Sequence, residues 1–472
     1  MSGLGCGYIL DMVTNIHIKV SKVFLHLARG SFVILLILLP FRLRIVAQAR
    51  PLLGVYGDYT DFLFYAMDAV QVLCMLCWLI SLLLNKRTIS FGHISITFPL
   101  LGLLAAAMFS LTSSLDVSLS AYHLFRLAGL FVLYLFILNE TKSPLWFVVP
   151  LGFMVFLQSV FAIGQSLAQR NLGAWWLGEY TLDPNAPFMS ILEVDGVRFL
   201  RAYGLSDHPN ILGGCLAFGM LALSSLIVAR GSEKWLRIFA TISFVLASAA
   251  LLLTYSRSAW VSLAIGTLFL LGVTLLQRNL YGFWRALFLI LTCALVLIPF
   301  IKNNQNYIAA RFDVNDSFTT NRVERGAVVE RIYLYDQAHQ IFAQNSLTGI
   351  GLGASVVAMQ AYYPVFRMSY QPPHVSILAA AMETGMFGAV FFVSAIVLPF
   401  YFVFRNRQYL HDANIILGLV LILAVTVLGL FDHYPWMLVP GRLMHWLAWG
   451  AFAAAVARHE APSRQQQRAD QR

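Results

Sequence analysis

Apolar residues in this chain gather into long runs separated by short polar stretches. About 20 apolar residues in a helix cross the hydrocarbon core of a bilayer. The pattern predicts helices over 24–48, 62–85, 94–113, 118–138, 145–167, 209–229, 237–255, 258–276, 284–301, 375–403, 412–431 and 437–457. Twelve spans make residues 1–472 one transmembrane domain, an all-α polytopic membrane protein. Arg29 interrupts the first run and Arg42 and Arg44 stand near its end; no small-residue cleavage site follows, so it is expected to remain as an anchor. No internal repeat is evident.

The polar intervals set the orientation. Lys86/Arg87, Lys142, Arg230/Lys234/Arg237, Arg278/Arg285 and Arg405/Arg407 fall on one side, which the positive-inside rule makes cytoplasmic, with both termini. The tail 458–472 is polar and expected to be disordered. Arg42, Arg44 and Arg50 fall on the other side and fit the rule badly. That outer side also carries two long loops, 168–208 and 302–373, far above ordinary connection lengths, which points to function. Within the second, Val328, Ile332, Tyr335, Ala338 and Ile341/Phe342 recur at helical spacing and predict an amphipathic helix over 325–344 lying along the membrane surface.

Composition sharpens this picture. Only 11% of residues are charged, against roughly 25% in soluble domains. A disordered chain and a disulfide-stapled scaffold are excluded. The net charge of +10 is scattered among the spans and reflects topology and anion chemistry, with no nucleic-acid partner expected. Cys74 and Cys77 form a CxxC, but no second pair accompanies them, so they are expected to be packing residues.

The outer side is rich in arginine: Arg170, Arg198, Arg201, Arg257, Arg311, Arg322, Arg325, Arg331, Arg367 and Arg442, with Lys302 the exception. A guanidinium fork grips phosphate oxygens bidentately, which an ammonium does not, so the ligand implied is anionic. Arg201 sits just before a span in RFLRAYGLSDHPN, and Arg331 lies in the first half of the surface helix. His374 follows Pro372 and Pro373 at the mouth of a span, where an imidazole can accept a proton from a hydroxyl. Glu383, nine residues on, lies inside the span and is expected to be paired and structural. Asp58, Asp61 and Asp68 form neither a DxD nor an EE pair, so no metal is expected. Gly349–Gly353 (GIGLG) lacks the βαβ unit of a nucleotide fingerprint.

His374, Gly385 and Gly388 fit a His-x10-GxxG register that resembles the signature of bacterial O-antigen ligases and their relatives. Arg201 with Leu205 resembles the Rx3L element of that superfamily, and Arg331, Tyr335, Ala338, Gly349, Gly351 and Gly353 resemble its Arg-to-glycine run. The resemblance covers 198–388. It departs at Val375, usually a polar residue, at Tyr335, usually Trp, and at Ser346, commonly Pro. Val375 leaves open what orients His374.

The resemblance implies a GT-C-like glycosyltransferase of lipopolysaccharide biosynthesis in the bacterial inner membrane, with its site facing the periplasm. It implies transfer of O-antigen from undecaprenyl diphosphate to a lipid A–core sugar hydroxyl, with inversion and no cofactor. Arg201 and Arg331 would hold the diphosphate and His374 would be the base. Arg198, Arg257 and Tyr335 would support substrate, while Leu205, Gly385, Gly388 and Glu383 would be structural. An O-antigen polymerase using the same carrier is the nearest alternative, and a protein O-glycosyltransferase comes third. A lipid-linked glycan flippase or transporter, which Arg126 in the fourth span would suit, is a fourth. Glycan identity, acceptor sugar and oligomeric state stay open.

Overall fold

A computed structural model describes residues 3–186, 189–194, 196–229, 231–312, 322–365 and 369–470. Arg230 and Arg367 lie outside these residues, and the side chains of Arg322 and Arg325 lie outside what is described. The elements in order are α1 (Gly3–Ile37), β1 (Arg44–Gln48), β2 (Phe62–Tyr65), α2 (Ala66–Leu84), α3 (Ile94–Phe109), α4 (Val117–Glu140) and α5 (Leu145–Ala168). Then follow β3 (Ile191–Val194), β4 (Val197–Leu200), α6 (Pro209–Val228), α7 (Lys234–Leu253), α8 (Arg257–Leu276) and α9 (Leu280–Asn303). The chain ends with α10 (Gln305–Phe312), α11 (Arg322–Gln344), α12 (Ser355–Tyr362), α13 (Ser376–Arg405), α14 (Ala413–Phe431), α15 (Tyr434–Met437) and α16 (Val439–Asp470).

Eleven of these helices are long and apolar enough to cross a membrane. The twelfth expected span is α16, whose Arg442 and His445 dilute its hydropathy. The protein is an all-α multi-pass membrane protein. α6 and α14 are the most enclosed spans. Small residues on α6 let neighbours approach: Gly213 faces Ser256 and Ala259, and Gly214 faces Tyr434. At the other extreme α9 turns Trp284, Phe288, Leu291 and Leu295 outward, as a lipid-facing helix must.

Several boundaries differ from the sequence reading: α1 begins at Gly3 and not near 24, and α2 begins at Ala66 because 62–65 is a strand. Helix α1 stops at Ile37, because Pro40 follows, and 44–48 is a strand. It pairs antiparallel with β2, Arg44 opposite Tyr65, so the connection between α1 and α2 is a hairpin with a bulge at Val46/Gln48. Helix α16 continues to Asp470, so the tail expected to be disordered is helical.

The two long loops fold at one end of the bundle. The first contains the β3–β4 hairpin over a small core of Leu182, Leu200 and Tyr203. In the second, α11 lies where the periodicity placed it, but its enclosed stripe is Leu334, Ala338 and Ile341. Ile332 and Tyr335 are exposed, a rotation of the expected face.

Candidate functional site

The His motif starts with a helix that breaks. Within α13, Gly385 has φ 70° and ψ −176°, a region L-residues avoid. A break frees carbonyls that must find donors. Here Ile350 N–H donates to the Met382 carbonyl (3.0 Å) and Gly351 N–H to that of Glu383 (3.1 Å). Gly349 sits so close to the Glu383 carbonyl that a Cβ would collide with it. The GIGLG run is therefore the seat of the kink. Gly388 packs beside Ala106 of α3. Glu383 is fully buried, accepting from Ser355 Oγ (2.6 Å) and Trp436 Nε1 (2.8 Å).

Above the kink, His374 meets a second segment. The rings of His374 and His433 stand edge to face, centroids 4.7 Å apart at 87°. Ser376, at the head of α13, donates to the Asp432 carbonyl (3.0 Å), which ties the α14–α15 turn to the His motif. Asp432 is enclosed, and its Oδ2 accepts from Asn210 Nδ2 (2.8 Å). Asn210 Oδ1 in turn accepts from Arg201 (2.6 Å). Arg201 is buried and also donates to the Thr254 carbonyl and to Ser190 Oγ, both at 2.8 Å. A fixed chain thus runs from Arg201 through Asn210 to Asp432.

These groups share a cavity of about 750 Å³, whose lining includes Arg201, Arg331, Arg311, His208, His374, Asp432 and His433. An adjoining cavity of about 260 Å³ is lined by Arg257 together with Arg311, Arg331 and Asp432. The structure thus brings together Arg201, Arg331 and His374 and places Arg257 next door. Leu205 is enclosed, its N–H donating to Gln158 Oε1 (2.9 Å). Arg198 and Tyr335 line neither cavity: Arg198 faces Glu193 across the β3–β4 hairpin, and Tyr335 is 49% exposed on α11.

Burial, with His433 and Arg331 close by, lowers the His374 imidazole to about 3. Burial and Arg201 likewise take His208 to about 3. Burial would raise the Asp432 carboxyl, but His433, His374 and Arg331 more than offset it and hold it below its usual range. At neutral pH the site therefore has an uncharged imidazole beside an ionised carboxylate, under a roof of guanidinium groups.

Sequence reasoning missed Asp432, His433, Asn210 and His208, and did not separate Arg311 from the other loop arginines. Asp432 and His433 do form an ionisable pair between two apolar runs, which was a usable signal. The misfit arginines are explained: Arg42 and Arg44 pair with Asp207 (2.8 and 2.9 Å), Arg44 with Asp58 (2.6 Å) and Arg50 with Asp116 (2.6 Å). Asp68 pairs with Arg126. Cys74 and Cys77 are buried free thiols, as packing residues should be.

No curated protein matches the chain. Residues 242–393, the stretch that runs from α7 through Arg331, the glycine seat, His374 and the kink, match the family model described as O-Antigen ligase. That segment, about a third of the chain, is thus similar to the O-antigen ligase family.

Proposed function

We propose that the chain transfers O-antigen polysaccharide from undecaprenyl diphosphate to a sugar hydroxyl of lipid A–core, as a GT-C-like inner-membrane enzyme with its cavity on the periplasmic side. The match over 242–393 supports an O-antigen ligase or polymerase-type function; the finer reading rests on one observation. Arg201 and Arg331, from different loops, line the same cavity as His374. The acceptor hydroxyl gives its proton to His374 while its oxygen attacks the anomeric carbon. The bond from that carbon to the diphosphate breaks on the opposite face, which inverts the centre. The departing electron pair leaves charge on the diphosphate, and Arg201 and Arg331 stabilise it as it develops.

His374 alone is a weak base, because burial disfavours its protonated form. A bound diphosphate supplies the compensating negative charge, so the base strengthens when donor is present. No nucleotide sugar and no divalent cation enters this scheme.

The test is purified protein with carrier-linked glycan and, separately, lipid A–core or a second carrier-linked unit. Consumption of lipid A–core supports the ligase. Consumption of the second carrier-linked unit makes it a polymerase, and scrambling of labelled lipid without transfer would make it a flippase.

A further inference from the structure

His374, Asp432 and His433 each offer one ligand atom, and the three atoms lie within 4.8 Å of one another. Two imidazoles and a carboxylate are a common donor set for zinc and its neighbours. The free valences point the same way. Nδ1 of His374 and Nδ1 of His433 are both buried without a hydrogen bond. Leaving such an atom unpaired normally costs stability. His433 is 7% exposed, and its Nδ1 stands 3.4 Å from Asp432 Oδ1.

The surroundings hold these donors in place. Tyr59 Oη lies 2.9 Å from His433 Nε2. A hydroxyl can accept the Nε2 proton, which leaves a lone pair on Nδ1. Asn210 holds the far oxygen of Asp432 at 2.8 Å. Partners of this kind orient metal-binding histidines and carboxylates. Arg331 lines the same cavity and opposes any cation, so weakly held Mg²⁺, which prefers six oxygens, is disfavoured against a nitrogen-bound transition ion.

We propose that His374, Asp432 and His433 form a site for a divalent transition ion, Zn²⁺ or a close relative, and that its occupancy inhibits the enzyme. The inhibitory half rests on the reading of His374 as base: an imidazole nitrogen bound to the ion has no lone pair for the acceptor proton. The ion is thus an antagonist of transfer and takes no part in it.

The experiment uses full-length, tag-free protein in detergent, stripped with chelator and titrated with Co²⁺. One equivalent should bind with visible d–d bands, and Zn²⁺ should displace it. Asp432→Asn and His433→Ala should each weaken binding at least tenfold, whereas His339→Ala, on an exposed position of α11, should not. Should the site variants fail to fold, Tyr59→Phe provides the test and should cost roughly tenfold in affinity. Wild-type protein that binds Co²⁺ no better than His433→Ala overturns the site. In the second arm Zn²⁺ at its binding concentration should stop glycan transfer, and chelator should restore it. Transfer that is unchanged at saturating Zn²⁺, or that requires Zn²⁺, overturns the inhibitory role. Absence of transfer under every condition counts against the transferase reading alone, since the Co²⁺ spectrum still decides the site.

Discussion

On the proposed mechanism each guanidinium and the imidazole would have separable duties. Arg201 is held by three acceptors and linked through Asn210 to Asp432, so its position is set before any ligand arrives. Arg201→Ala and Arg331→Ala should each lower the transfer rate by about 10²–10³, the usual cost of losing one donor to a developing charge. Membrane insertion should persist, and transfer at wild-type rate in either variant would remove that residue from the diphosphate site. His374→Ala should cost about 10²–10⁴, with His374→Gln close behind. The pH dependence follows from burial. An ordinary histidine protonates near 6.5, whereas His374 does so at about 3. The neutral, competent form therefore persists as pH falls through 6.5 and is lost only near the folded value. The kcat/KM profile, which reports the free enzyme, should stay flat between about pH 7 and 5.5. A fall centred near pH 6.5 would mean that His374 is solvated or is not the base.

Among the elements, α13 shows why the glycines of the motif are required. Gly385 takes a positive φ, and a Cβ there would strike the Leu347 carbonyl. Gly385→Ala should destabilise the protein by at least ~1–3 kcal/mol, read as a lower melting temperature in detergent. It should also impair transfer, because the segment between the kink and His374 would shift. An unchanged melting temperature would mean that the helix runs straight through this position. Helix α11 shows the opposite case, where periodicity located the element but not its facing. Ile332 and Tyr335 look apolar enough to point inward, yet the packing surfaces offered by α12 and α13 select Leu334, Ala338 and Ile341. A helical repeat specifies spacing, and only the tertiary partner specifies which stripe is buried.

Across the whole molecule, the bilayer makes much of the fold legible, since each span must satisfy its own backbone and so announces itself as an apolar run. Arg201 and His374 stand at loop–span junctions and Arg331 within the loop helix α11, each inside a spacing that the sequence displays. The hairpin from Arg44 to Tyr65 was hidden by its apolar strands, which merge in composition with α1 and α2. Asp432 and His433 were hidden by distance along the chain; nothing near them in sequence says that they will meet His374. Arg126 in the fourth span loses its weight for a transporter, because Asp68 answers its charge. The linkage from Arg201 through Asn210 to Asp432 closes a contact 222 residues long. Because Asp432 follows α14, this anchor of Arg201 forms only once α14 has been made and docked beside α6.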